Sequence, residues 1–305
     1  MVYEYSLDDI QDIKNAMESY EVSSDVGVII NNLVEKLNIN IQNKPRILRR
    51  DKNRYVNDAQ WVKKEPFKAT QIEKSIGLDE LLDKLRGILN KLTLNNYEQQ
   101  QENIFNVVSE IINDNTLNKE CDVYIKIIDC FYKIVINNRF YSSVYVQLFI
   151  SISDNFILFD DHRNFFIEKY KELMSDFEYV NPDDDYDKYC IINKMNENRK
   201  ALLTFIIHAV KYELYSFNIL NDILHYYFDK LELTKQDETF VNINEEIIEN
   251  IFVIFSDGKE VILNEVSRYT FIEKIKDLMS VKISSNKGFS NRMKFKCMDI
   301  NDLYK

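Results

Sequence analysis

The chain has 305 residues, of which 45% are hydrophobic and 29% are charged. This composition is typical of a globular protein and argues against a disordered or a membrane-embedded chain. Only 5 glycines and 3 prolines occur, which argues against β-sandwiches and barrels, because their frequent turns use these residues. The formal net charge of −11 argues against non-specific nucleic-acid binding by the whole surface but not against a local basic patch.

The first twenty residues predict a short helix. Ser6 and Asp9 have the spacing of a capping box, with Asp in place of Glu or Gln. Tyr5, Ile10 and Ile13 form the apolar side of this helix. The acidic start of the chain lacks the basic and apolar regions of a signal peptide.

Residues 24–38 contain a second, weaker helical pattern. It is followed by the segment KPRILRRDKNR, which has six basic residues and one acid and which we interpret as an exposed linker. We therefore expect three regions: an N-terminal helix over 1–20, a basic linker over 21–60 and one domain over 61–305. The basic residues of the linker are Lys44, Arg46, Arg49, Arg50, Lys52 and Arg54.

From about residue 75 onwards the pattern is helical with few breaks. Leu78, Leu82, Leu85, Leu89 and Leu92 belong to one continuous apolar stripe. Similar stripes follow one another to residue 281, separated by short polar segments, at an irregular period of about forty residues. The sequence therefore predicts an all-α protein, a HEAT-type α-solenoid of about five antiparallel helix pairs, preceded by a mostly extended N-terminal segment.

The chain lacks the usual sequence signatures of catalysis. No two glycines have the spacing of a phosphate-binding loop or a dinucleotide turn, and no GxSxG elbow occurs. His162, His208 and His225 are far apart, and the four cysteines include no CxxC pair. The acidic run around Asp183 lacks the glycine of a calcium loop, so we interpret it as a solvated loop. We expect no enzymatic activity, no cofactor and no metal ion.

We also expect a cytoplasmic location and a monomer with reduced thiols. The longest uncharged apolar stretch, residues 141–153, is too short to span a bilayer, so no membrane partner is expected.

A more specific pattern begins at Arg86 and reads RGILNKLT. Three later segments, 130–149, 199–220 and 288–305, follow it at long intervals. In this order and spacing, the four segments resemble the middle domain of eukaryotic translation initiation factor 4G from about residue 61 to the end. The chain departs from that family at Arg139, where the family has proline, and in the third segment, which lacks two Gly-containing pairs.

The resemblance implies a scaffold. The family's domain is a crescent of five HEAT pairs that clamps both lobes of the DEAD-box helicase factor 4A and speeds its ATP cycle. In the second segment, Arg139, Phe140 and Tyr141 are the residues we expect to contact a helicase, with core packing of Phe140 as the alternative. Trp61 corresponds to a family tryptophan that docks on the helicase, and the alternative is that it packs in the domain core.

Two further segments match features found upstream of that domain. YSLDDIQDIK resembles the motif that binds the cap-binding factor 4E, with Tyr5 and Ile10 in the first two roles. Gln11 departs from the apolar third position, although Ile13 offers apolar area nearby; the alternative is a frayed terminal helix. The basic linker is similar to arginine-rich linkers of the family that contact RNA phosphates, and the alternative is a solvated linker. A second basic cluster occurs in the last repeat: Lys282, Lys287, Arg292, Lys294 and Lys296.

The sequence thus predicts a compact translation initiation scaffold that binds a factor 4A-like helicase, a factor 4E-like cap-binding protein and, weakly, mRNA. One alternative is a related HEAT adaptor in mRNA decay or translational repression, which binds a helicase without promoting initiation. The other is an enzyme with its site in a helical groove, which an ATP- or RNA-hydrolysis assay of the protein alone would reveal.

Overall fold

The computed structural model describes residues 77–113, 123–156 and 162–305, together with five single positions between 24 and 32. The described residues from 77 onwards form α-helices and short 3-10 turns, with no strand among them, which confirms the predicted all-α class. The five single positions are helical and fall in the weaker helical pattern. Tertiary contacts divide the chain into Met1–Ile72 and Glu73–Lys305, and the helices below belong to the second unit.

Eleven helices follow one another in this described part of the chain. They are α1 (Leu78–Leu89), α2 (Tyr97–Asn113), α3 (Val123–Val135), α4 (Ser142–Asn155), α5 (Phe165–Ser175), α6 (Tyr186–Lys211), α7 (Asn218–Thr234), α8 (Val241–Asp257), α9 (Lys259–Leu263), α10 (Arg268–Ser280) and α11 (Asn291–Leu303).

In chain order the helices fall into five consecutive pairs: α1–α2, α3–α4, α5–α6, α7–α8 and α10–α11. The two helices of four pairs lie close along their backbones, and α3 contacts α4 through the rings of Phe131 and Tyr145 at 5.9 Å. The second helices of successive pairs contact one another in order, so that α2, α4, α6, α8 and α11 form a continuous row. The short α9 lies between the last two pairs and contacts α6 and α8. Each pair packs mainly on its neighbours, which is the packing of a helical solenoid, as the sequence predicts.

Local sequence explains where several helices begin and what they bury. In α1, Leu82, Leu85 and Leu89 are buried at spacings of three and four residues, as the apolar stripe predicts. Asp185 begins α6 by accepting a hydrogen bond from the Lys188 backbone N–H at 2.9 Å. Ser290 caps α11 through the Met293 backbone N–H at 3.3 Å. Such caps satisfy backbone donors that a helix start leaves free.

Aromatic side chains cluster in the core where the second and third pairs meet. Phe166 lies on α5 with its ring centroid 4.5 Å from that of Phe205 and 5.1 Å from that of Phe149. Phe131 adds a ring 6.0 Å from Phe166. These edge-on and tilted contacts are the preferred geometries of aromatic pairs, and they fix how neighbouring pairs stack. Among the helices described, none is both long and apolar enough to cross a membrane.

Candidate protein-binding edge

The turn between α3 and α4 exposes a large aromatic side chain. Phe140 lies in the 3-10 turn Arg139–Tyr141 and is 89% exposed. Its ring packs edge-on against Tyr141 at 5.2 Å, and Tyr141 in turn lies 6.4 Å from the buried Tyr145. The core-packing alternative for Phe140 is therefore wrong, because this ring faces solvent and packs edge-on against the half-buried Tyr141.

Arg139 fastens this turn to the two following helix pairs. Its Nε donates to Thr204 Oγ1 on α6 at 2.9 Å, and its Nη2 lies 2.8 Å from Asp257 Oδ2 at the end of α8. Thr204 Oγ1 also donates to the same Asp257 oxygen at 3.2 Å. Thr204 and Asp257 thus bind the guanidinium, and these contacts position the turn that carries Phe140.

Next to this turn, the first turns of α4 bind a tyrosine that follows the end of α6. The Tyr212 hydroxyl lies 2.9 Å from Ser143 Oγ and accepts a hydrogen bond from Gln147 Nε2 at 2.7 Å. Its side chain is 42% exposed. We call Phe140, Tyr141 and Tyr212 the aromatic edge. Sequence reasoning missed Tyr212, because its partners lie 69 and 65 positions away and leave no local signal.

The remaining predicted site residues cannot be placed on this edge. Those assigned to the cap-binding protein, the tryptophan assigned to the helicase and the basic residues assigned to RNA lie outside the described residues: Tyr5, Ile10, Ile13, Trp61, Lys44, Arg46, Arg49, Arg50, Lys52 and Arg54.

The second basic cluster is described, and much of its charge is neutralised within the protein. Arg292 forms ion pairs with Glu245 at 3.1 Å and Glu249 at 3.3 Å. Lys296 binds Glu249 at 3.3 Å, and Lys287 lies 3.5 Å from Glu238. This part of the last repeat is therefore a mixed-charge surface and a poor candidate for phosphate binding.

In the described part of the chain, no group of three His, Cys, Asp or Glu side chains is arranged to hold a metal ion. The aromatic edge, which lies on a turn that Arg139 holds against α6 and α8, exposes a large apolar ring and is therefore a candidate surface for recognition of a protein. No family model matches the chain, and a search of curated proteins finds no match either.

Proposed function

We propose that this protein is a translation initiation scaffold, which binds a DEAD-box helicase of the factor 4A kind through the aromatic edge and speeds its ATP cycle. The observation that carries the proposal is Phe140, which is 89% exposed on a turn that Arg139 holds against Thr204 and Asp257. The choice of a factor 4A-like helicase as the partner rests on the four sequence segments that resemble factor 4G.

The physical basis is preorganisation. A helicase with two flexibly linked lobes loses conformational entropy each time it closes on RNA and ATP. A scaffold that holds both lobes near their closed arrangement reduces this cost and raises the population of the competent state. A solenoid suits this task because its stacked pairs present one extended surface. A large aromatic side chain on that surface is the kind of residue that contributes most to protein binding.

The N-terminal region completes the scaffold in this proposal. The segment predicted as a helix from Tyr5, Ile10 and Ile13 binds a factor 4E-like protein, with its apolar side chains in a groove of the partner. The basic linker adds weak, salt-dependent contacts with mRNA. The protein then brings the helicase to capped mRNA in the cytoplasm, acting as a monomer with no catalytic activity of its own.

The test uses the full chain, a factor 4A-like helicase, ATP and single-stranded RNA. We expect the wild-type protein to bind the helicase and raise its ATPase rate while hydrolysing nothing alone. Phe140→Ala should weaken this binding at least about tenfold, because loss of a central aromatic anchor costs about 2 kcal/mol or more. Its melting temperature should stay unchanged, since the ring is exposed. Leu233→Ala, which removes an 84% exposed side chain on α7, is the matched control and should bind like wild type.

Failure of the wild-type protein to bind any factor 4A-like helicase would disprove the proposal. If the protein binds the helicase but tethering it to a capped reporter lowers translation, the repressor or decay adaptor is the correct alternative. Phe140→Ala with wild-type affinity would place the helicase contact on another surface.

A further inference from the structure

A small apolar pocket lies between α5 and α7, the first helices of the third and fourth pairs. Its apolar lining residues recur at spacings of three and four positions: Ile167, Tyr170 and Met174 on α5, and Ile219 and Ile223 on α7. Its volume of about 100 Å³ is well below the ~300–1,000 Å³ of pockets that enclose a whole small molecule. The pocket therefore suits one apolar side chain of a larger partner, of about the size of leucine.

A buried contact holds the floor of this pocket in place. Tyr170 is buried, and its hydroxyl lies 2.6 Å from that of Tyr227 on α7, so the two helices are joined beneath the pocket. Met174 and Ile219, in contrast, are half-buried and form its walls. A side chain that enters the pocket removes the walls from water, which favours association. Because the floor is already ordered, binding requires little ordering of the protein.

Two opposite charges flank the pocket, one on each helix. Lys171 on α5 and Asp222 on α7 both line it, and both side chains are exposed. Neither forms an ion pair within the described part of the chain, whereas the neighbouring Lys169 binds Glu172 at 3.0 Å. A partner surface is complementary to this arrangement when it carries an apolar anchor between an acidic and a basic side chain.

We propose that this pocket binds an amphipathic helix of a partner protein, with a leucine in the pocket, an acidic residue against Lys171 and a basic residue against Asp222. A helix fits this pattern, because the residues three and four positions from an anchor lie on its two sides. The apolar stripe of such a helix packs into the groove between two neighbouring helices. This inference does not depend on helicase binding.

The test measures binding of labelled peptides to the full chain by fluorescence anisotropy, at protein concentrations up to about 1 mM, the range of weak affinity. The probe is an alanine-rich helix with one central leucine, glutamates along one side of it and lysines along the other. One of the two directions in which this helix can lie places glutamate at Lys171 and lysine at Asp222. A comparison peptide with alanine in place of the leucine should bind at least about tenfold more weakly, because it buries less apolar area.

Charge exchange in the protein locates the contact. Lys171→Glu and Asp222→Lys should each weaken binding of the leucine peptide about two- to fivefold, because like charges then face each other on one side. The double variant keeps the net charge of the chain and again has one cation and one anion across the pocket. It should bind like wild type, with the peptide in the reverse direction. Lys126→Glu makes the same charge change at an exposed position of α3 and is the matched control, with wild-type binding expected.

Four results would overturn the inference. One is the absence of binding of the leucine peptide to the wild-type protein. Another is equal binding of the leucine and alanine peptides, because the pocket would then hold no anchor. The third is a double variant that binds no better than the single variants, or a Lys126→Glu variant as weak as Lys171→Glu. The fourth is a dimer of the protein alone, measured by sedimentation equilibrium and abolished by Ile219→Asp, which would assign the pocket to a second copy of the chain.

Discussion

Arg199 shows how one buried charge fastens a loop to a helix. Its side chain is almost fully buried, and its Nε donates to the Leu173 carbonyl at 2.8 Å. Its other nitrogens donate to the Asp176 carbonyl at 2.5 Å and to Asn196 Oδ1 at 2.6 Å, and the guanidinium lies 3.9 Å from the centre of the Phe177 ring. Burial lowers the pKa of Arg199. These bonds attach the start of the α5–α6 loop to α6.

We expect Arg199→Met to lower the free energy of unfolding by about 2–4 kcal/mol. Methionine keeps much of the apolar packing, but the carbonyls of Leu173 and Asp176 lose their donor in a partly buried place. Arg199→Lys should recover only part of the loss, because an ammonium group cannot reach three acceptors in the same plane. Urea denaturation followed by circular dichroism measures both. Wild-type stability of the Met variant would contradict this account.

Tyr170 and Tyr227 form a second buried polar contact. Their hydroxyl oxygens are 2.6 Å apart between α5 and α7. Burial raises the pKa of both phenols above the ordinary value of 10.0, because ionisation would place a charge in the core. The folded state therefore holds these protons more tightly than the unfolded state does. Their contribution to stability is complete below pH 10 and falls as the pH rises above it.

Tyr227→Phe should have two separable effects. At neutral pH it lowers the free energy of unfolding by about 1 kcal/mol, because the Tyr170 hydroxyl loses its partner. Above pH 10 the stability of the variant should fall less steeply than that of wild type, because one buried phenol no longer ionises on unfolding. Urea denaturation at several pH values between 7 and 11, with Tyr226→Phe as the neighbouring control, tests this. Identical slopes for wild type and Tyr227→Phe would contradict the assignment.

At the scale of elements, the loops between helices help to determine how one helix pair packs on the next. The α10–α11 connection lies directly against the α7–α8 turn. Asn244 Nδ2 donates to the Gly288 carbonyl at 2.9 Å, and Asn244 Oδ1 accepts from Thr234 Oγ1 at 2.7 Å. A Cβ at position 288 would lie 2.5 Å from the Thr234 carbonyl oxygen and closer still to that of Asp237. Glycine is therefore required here by the close approach of two backbones.

Gly288→Ala should lower the free energy of unfolding by about 1–3 kcal/mol, because backbone must move to admit the methyl group. Gly87→Ala, in α1, is the matched control. Nothing lies within 4 Å of a Cβ at position 87, and alanine favours a helix over glycine. This control should raise the free energy of unfolding by about 0.5–1 kcal/mol. Thermal and urea denaturation of both variants measure the difference, and destabilisation by both or by neither would contradict the structural distinction.

At the scale of the whole molecule, charge is distributed unevenly. The chain has a net charge of −11, yet residues 44–54 contain six basic residues and one acid. On the last repeat, by contrast, three of the five clustered cations are paired with glutamates. An acidic molecule of this kind repels RNA over most of its surface, so any binding of RNA should depend on the basic segment.

We expect weak binding of single-stranded RNA that decreases steeply with salt. Replacing Arg46, Arg49 and Arg50 by Ala should reduce the slope of log affinity against log salt concentration by about 2–3, if each arginine contacts one phosphate. Replacing Lys282, Lys287 and Lys294 by Ala removes the same charge from the last repeat and should leave the slope unchanged. If both triple variants reduced the salt slope equally, RNA binding would depend on net charge and not on the basic segment.

The sequence alone determined the class of fold. Apolar residues at helical spacing predicted the buried Leu82, Leu85 and Leu89, because a helix repeats its faces locally. The helix boundaries were predicted less completely. Apolar residues at helical spacing continue over residues 260–281, where the structure has two helices, α9 and α10, because periodicity does not reveal a turn that leaves Val266 84% exposed.

Only the tertiary structure decided the candidate site. Arg139 and Asp257 are 118 positions apart, so no local pattern signals their ion pair. For Phe140, the sequence allowed both a core position and a surface position, because an aromatic residue near a turn is compatible with either. The packing of the turn on α6 and α8 leaves the ring outside. Which side chains lie together depends on how the pairs stack, and this is a property of contacts distant in sequence.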